Sequence, residues 1–215
     1  MKYRYILFDM DGTVLETLED LCGATNATLE HFGFPPITLE QCRSYVGNGA
    51  RRQMEQSLPA GTADETVDRV LEYYIPYYAS HSLVKTAPYP GITEMLETIC
   101  RAGARCAVVS NKPDATCKRL SDEFFGNCME TAIGQSDSIA RKPAPDTVLE
   151  AIRLMGADKS ECVYVGDSEV DLLTARNAGI PCISVLWGFR TREQLETAGA
   201  DTFAGTPEEL VSLIL

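Results

Sequence analysis

Five short, mostly apolar runs punctuate the chain, at residues 4–8, 105–110, 128–133, 162–166 and 181–186. Each has the length and residue types of a buried strand. Segments with helical spacing separate the later runs, at residues 113–121, 145–155 and 168–178. Gly156 and Gly179 follow the last two, where a left-handed residue would end each helix. Buried strands alternating with helices predict an α/β chain with an open parallel sheet covered on both faces. The first strand breaks the rhythm, because no other strand is predicted before residue 105. Residues 16–33 read as an amphipathic helix built on Leu18, Leu21, Cys22 and Leu29 and ending at Gly33. Thr62 and Glu65 have the spacing of a capping box for a second helix running toward His81. That helix carries a packing stripe of Tyr73, Tyr74, Tyr77 and Tyr78 and a kink at Pro76. Residues 15–85 therefore read as a small helical cap domain inserted after the first strand, with 1–14 and 86–215 forming the core.

Charge and cysteine content narrow the partners. A net charge of −12 disfavours nucleic acid and anionic membrane, both of which attract basic surfaces. The eight cysteines form no C-x-x-C pair and only two histidines accompany them, so a zinc site is not expected. They read as reduced core thiols of a cytoplasmic protein. No run approaches the ~20 apolar residues of a membrane span, and the charge at Asp9 interrupts any leader-like apolar segment.

The candidate chemistry gathers at the strand ends. Asp9 and Asp11 follow the first strand, one residue apart, and two carboxylates that close need a compensating cation. Open parallel sheets bind ligands beyond the carboxyl ends of their strands. Ser110, Asn111 and Lys112 follow the second strand, and Gly166 and Asp167 the fourth. Lys142 precedes a helix, and Asp171 lies four residues beyond Asp167. Converging carboxylates suit a hard divalent cation such as Mg²⁺. The Ser110 hydroxyl and Lys142 would complete a cradle for a phosphoryl group. Asp9 is placed to attack phosphorus and form an aspartyl-phosphate, with Asp11 as the acid and later the base. Lys112 reads as solvated, or at most a secondary anion contact. In the cap, the free N–H groups of a helix opening at Gly49 and the Arg51 guanidinium are candidate substrate contacts.

These motifs, D-M-D-G-T at 9–13, Ser110, the lysine of K-P-A-P at 142 and G-D-S-E-V-D at 166–171, occur in one order. With them the chain resembles the haloacid dehalogenase-like hydrolase superfamily along essentially its whole length. The resemblance implies a Rossmann-like three-layer core with a helical cap after the first strand. It implies Asp9 as nucleophile and Asp11 as acid/base, supported by Gly12 and Thr13. It also implies Mg²⁺ held by the Asp9 side chain, the Asp11 carbonyl and Asp167. Ser110, Asn111 and Lys142 would bind phosphate, with Asp171 orienting Lys142 or a metal-bound water. Residues 43–52, 110–113 and 187–201 look most like the bacterial phosphoglycolate phosphatases. Glu16-Thr17 departs from the Asp-Ser or Asp-Thr usual after D-G-T, adding a methylene at the entrance to the cap. The implied partner is a small phosphorylated metabolite, 2-phosphoglycolate foremost, and the implied assembly a monomer or homodimer. A sugar-phosphate phosphatase, a pyrophosphatase and a β-phosphoglucomutase-like phosphotransferase share the motifs. A receiver-like phosphorylation switch is the alternative from another class.

Overall fold

The computed structural model describes residues 1–215 except the side chain of Asn127. The chain divides into two compact units, Met1–Leu15 with Pro88–Leu215, and Glu16–Ala87. It opens with β1 (Tyr5–Phe8) and leaves the first unit through β2 (Leu15–Glu16). The second unit holds α1 (Leu18–His31), α2 (Leu39–Tyr45), α3 (Gly49–Ser57) and α4 (Asp64–His81). The chain returns through β3 (Ala87–Pro88), which pairs with β2. The first unit continues with α5 (Ile92–Arg101), β4 (Arg105–Pro113), α6 (Asp114–Phe125) and β5 (Met129–Gln135). Next come α7 (Asp146–Met155), β6 (Cys162–Gly166), α8 (Glu169–Ala178) and β7 (Cys182–Val185). It closes with α9 (Arg192–Thr197), β8 (Phe203–Ala204) and α10 (Pro207–Ile214).

Six strands of the first unit form one sheet in the order β5-β4-β1-β6-β7-β8, every pair parallel. Counted along the chain, this is the doubly wound order whose direction reverses beside the first strand, between β1 and β6. All four residues of β1 are buried because it has sheet on either side and helices above and below. Ile6 and Phe8 pack with α5, α6 and α10 on one face, while Tyr5 and Leu7 pack with α7 and α8 on the other. The result is the predicted α/β, three-layer Rossmann-like core. Gly156 and Gly179 end α7 and α8 in the left-handed region, at φ 59° and 73°.

The boundaries differ from the sequence reading in informative ways. β4 runs three residues past Ser110, so Ser110, Asn111 and Lys112 belong to the strand itself. α6 extends to Phe125 because Leu120 and Phe125 continue its buried stripe. β8 is two residues long, too short to show a period. All cysteines are free, with Cys100, Cys128 and Cys182 half-buried and the rest buried. Among the described residues no helix is long and apolar enough to cross a membrane.

Within the second unit, α1 packs on α4. The buried Asp20 carboxylate of α1 accepts the Val84, Lys85 and Thr86 N–H groups, at 2.9–3.1 Å, and the Thr86 hydroxyl. That single side chain caps the segment after α4. Gln53 of α3 donates to Thr25 of α1 at 2.9 Å. The capping box expected at Thr62 and Glu65 does not form. α4 starts at Asp64, and the Thr62 hydroxyl instead closes a turn by donating to the Pro59 carbonyl at 2.6 Å. Tyr74 and Tyr78 are buried, as a packing stripe requires. Tyr73 and Tyr77 lie beside them and stack on His31 and His81, with centroids 4.0 and 4.1 Å apart.

Candidate active site

The first wall of the site is the turn after β1. The Asp9 N–H donates to Val165 of β6 at 2.8 Å, extending the ladder to the point where the acid emerges. Val14 and Leu15 then fold back to donate to the Met10 carbonyl, and Gly12 donates to Leu15. Gly12 sits at φ +80°, and a β-carbon there would fall 2.4 Å from Asp167 Oδ2. Only glycine satisfies both the turn and the close approach. Gly188 meets the same carboxylate from the other side, where a β-carbon would lie 2.3 Å from Asp167 Cβ. Asp167 is thus clamped between two loops, accepting from the Thr13 hydroxyl at 3.1 Å and the Phe189 N–H at 2.7 Å. The Trp187 indole donates to the Thr13 carbonyl at 2.9 Å and ties those loops together.

Lys142 is the hub of the second wall. Only 2 % exposed, its ammonium lies 2.7 Å from Asp9 Oδ1, 2.8 Å from Asp171 Oδ1 and 3.0 Å from the Tyr164 hydroxyl. Tyr164 in turn donates to Asp171 Oδ1 at 3.0 Å. The other Asp171 oxygen accepts the N–H and hydroxyl of Ser168, closing a capping box at the start of α8. Both oxygens of Asp171 are therefore engaged, and they fix its direction toward Lys142.

Asn111 departs from the sequence reading, which gave it to phosphate. Its side chain accepts from the Lys142 N–H at 2.8 Å and donates to the Lys142 carbonyl at 3.1 Å, so the amide holds the lysine backbone. An amide offers a donor and an acceptor side by side, which matches the C=O and N–H of a single residue. Lys112 departs further. It is 6 % exposed, and its ammonium lies 2.8 Å from Asp11 Oδ1. Extension of β4 through this position carries the side chain inward, which a strand ending at Ser110 would not do. Ser110 is buried beside it, its hydroxyl oxygen accepting the Lys112 N–H at 3.2 Å. Gly49 and Arg51 belong to the helical unit, where Arg51 pairs with Asp68 and, at 3.6 Å, with Glu55.

The sequence reading missed two contributors besides Lys112. Tyr164 stands in an otherwise aliphatic strand, and a buried tyrosine hydroxyl needs a partner, so its oddity was a usable signal. The Phe189 N–H left no trace in side-chain chemistry.

Electrostatics show what the assembled residues lack. Four acids, Asp9, Asp11, Asp167 and Asp171, face two ammonium groups, Lys112 and Lys142. Burial raises the Asp9 carboxyl well above its ordinary range; Asp171 adds to this and Lys142 opposes it. Burial, then Asp171, pushes Asp167 up to about 7 against the donors Phe189 and Thr13. Burial pulls the Lys142 pKa down, yet Asp171 and Asp9 hold it above the ordinary lysine range. Oxygens of Asp9, Asp167 and Asp171 lie within 4.8 Å of one another. Since Asp171 is already taken up by Lys142, Tyr164 and Ser168, Asp9 and Asp167 are the pair that fits a metal. A cation there would balance the surplus negative charge, and an all-oxygen donor set suits a hard ion.

The site thus combines a buried carboxylate against a buried lysine, a second acid two residues on and an acid pair short of a cation at a doubly wound switch point. Residues 6–185 match the haloacid dehalogenase-like hydrolase family. The phosphoglycolate phosphatase of Caulobacter vibrioides is 35% identical over 97% of this chain and 91% of its own length. Phosphoglycolate phosphatase 1 of Pseudomonas aeruginosa is 33% identical over 86% of this chain and 70% of its own. A crystal structure from Lactobacillus delbrueckii subsp. bulgaricus, provisionally assigned as a phosphoglycolate phosphatase, superposes with a TM-score of 0.94 at 36% identity, covering 100% of this chain and 99% of that one. Motif order, strand order and the meeting of Asp9, Lys142 and Asp167 at one sheet edge agree with that match: the chain belongs to the haloacid dehalogenase-like hydrolases.

Proposed function

We propose that this phosphatase hydrolyses 2-phosphoglycolate through an aspartyl-phosphate formed on Asp9. The observation that carries the reading is the Asp9 carboxylate held 2.7 Å from a buried lysine at the switch point of the sheet. Asp9 attacks phosphorus, breaking the bond to the glycolate oxygen, and Asp11 delivers a proton to that leaving oxygen. Asp11 then takes a proton from water, which attacks the acyl-phosphate and releases inorganic phosphate. Lys142 and the Ser110 hydroxyl hold the phosphoryl oxygens, and Lys142 offsets charge that builds on them. Tyr164 and Asp171 keep Lys142 aimed, and Asn111 fixes its backbone. Mg²⁺ would be held by the Asp9 and Asp167 side chains and the Asp11 carbonyl. When bound it neutralises phosphoryl charge and helps orient the group for in-line transfer. The likeness to two curated phosphoglycolate phosphatases at 33–35% identity supports the substrate. The free cysteines support a cytoplasmic setting, and we take the working form to be a monomer or homodimer.

The test is continuous phosphate release with Mg²⁺ across 2-phosphoglycolate, pyrophosphate, glucose phosphates and nucleoside monophosphates. The expected result is many turnovers with the highest kcat/KM on 2-phosphoglycolate. A sugar phosphate or pyrophosphate in first place would move the substrate to that class, and release stopping at one equivalent would turn the enzyme into a switch.

Metal binding should also carry a pH signature. Asp9 and Asp167 have folded-state pKa values above their unfolded ones. For such an acid the folded chain holds the extra proton, so stability falls as pH rises from about 4 through the folded value, about 7 for Asp167. A bound cation favours the ionised form and removes that loss. Saturating Mg²⁺ should therefore raise Tm more near pH 7.5 than near pH 5.5, as thermal melts would show. An equal or larger shift at the lower pH would mean that these acids are not the ligands.

A further inference from the structure

Lys112 sits where a phosphatase has no need of a second lysine for the phosphoryl group. Lys142 already reaches the nucleophile, whereas Lys112 faces the other acid, with its ammonium 2.8 Å from Asp11 Oδ1. Its backbone is closely packed. Its N–H donates to Ser110 Oγ at 3.2 Å, and β5 closes so tightly that a β-carbon on Gly134 would lie 2.7 Å from the Lys112 carbonyl oxygen. The side chain is 5% exposed, so the charge is held inside the site rather than in water.

We infer that Lys112 forms a carboxylate-binding subsite on the leaving-group side, selecting phosphomonoesters that carry a carboxylate on the ester carbon. The inference rests on the phosphatase reading above and deepens it. Asp11 has to reach the leaving oxygen to protonate it, and Lys112 is one hydrogen bond beyond Asp11. Its ammonium is therefore within roughly two hydrogen-bond lengths, about 6 Å, of that oxygen. In an O–CH₂–COO⁻ leaving group the carboxylate oxygens lie inside this span, on the side away from phosphorus. A neutral or cationic substituent there would leave a buried ammonium facing no substrate charge. A site built to pair a polar group discriminates sharply against analogues lacking it, far more than an apolar pocket does. Lysine also suits a small rotatable carboxylate, because it acts as a point charge with several donors.

Ethyl phosphate tests this, since it replaces the carboxylate of 2-phosphoglycolate by a methyl group and keeps the ester. The wild type should prefer 2-phosphoglycolate in kcat/KM. In Lys112→Met both substrates should slow, since Asp11 loses its partner, but 2-phosphoglycolate should lose roughly 10²-fold more, mainly in KM. Lys112→Arg, which retains the charge, should recover most of the preference. An equal loss on both esters would overturn the inference and reduce Lys112 to a partner of Asp11. Lys112→Gln, which keeps a donor toward Asp11, gives the same ratio should the methionine variant fail to fold. A wild type that turns over other phosphomonoesters without distinguishing these two would defeat the substrate reading and this inference together. A wild type that distinguishes them while Lys112→Met still does would defeat this inference alone.

Discussion

Asp9→Asn should abolish turnover while leaving the protein as stable as before, or more so. An amide is not a nucleophile toward phosphorus, so the expected loss in kcat is at least ~10⁴-fold, about 5.5 kcal/mol of barrier. Its shape is that of the carboxylate, and its oxygen can still accept from Lys142, now 2.7 Å away. Stability is the informative second readout. Burial and the neighbouring Asp171, Asp167 and Asp11 raise the Asp9 carboxyl far above its ordinary range even with Lys142 beside it. In the metal-free protein at neutral pH the site therefore resists the Asp9 charge, and removing it should raise Tm by a few degrees. Steady-state phosphate release and a thermal melt on the same preparation separate lost chemistry from lost fold. Retention of a tenth of kcat would exclude Asp9 as nucleophile. A large fall in Tm would show that its negative charge supports the fold without metal. Mass spectrometry of acid-quenched wild type should find the phosphoryl group on the peptide containing Asp9 and nowhere else.

The sequence showed the outline of this site because its chemistry sits at strand ends. A buried strand that stops at an acid marks the carboxyl edge of the sheet, and β1 and β6 each carry such a marker in Asp9 and Asp167. Gly156 and Gly179 were readable for a similar local reason, since their left-handed backbone is set within one turn of helix. Less legible were contacts that depend on how far a strand runs. Lys112 reads as solvated or a secondary anion contact, whereas the fold buries it against Asp11. The resemblance puts Asn111 on phosphate, yet its amide is used by the backbone of Lys142, 31 residues away. The Thr62 box fails for a different reason, because α4 opens at Asp64 with Ala63 in the cap position, one residue past where the Thr62 hydroxyl could cap it. Periodicity reports which face a residue occupies. It carries no information on which of two polar neighbours wins.

Lys142→Met carries the largest expected cost to stability and separates two roles of the same ammonium. Methionine fills similar space, so packing is largely kept. What vanishes is an ammonium tied at once to Asp9, Asp171 and Tyr164, at 2.7, 2.8 and 3.0 Å. Breaking a buried pair by removing one partner costs about 3–5 kcal/mol, because the remaining charge is uncompensated. For a chain of this size that lowers Tm by roughly 6–20 °C. The loss should shrink toward acid pH. Without Lys142 the Asp9 carboxyl binds its proton more tightly still in the folded state, so stability falls as pH rises through its raised value. Adding Asp171→Asn to the same chain removes the stranded charge and should return most of the lost Tm. Activity should not return, since Lys142 itself holds the phosphoryl oxygens, and kcat should stay down by at least ~10³-fold. Recovery of turnover along with Tm in the double variant would mean that Lys142 serves only to neutralise Asp171. Failure of Tm to recover would place the instability at Asp9, where a Lys142→Met, Asp9→Asn chain should then restore it.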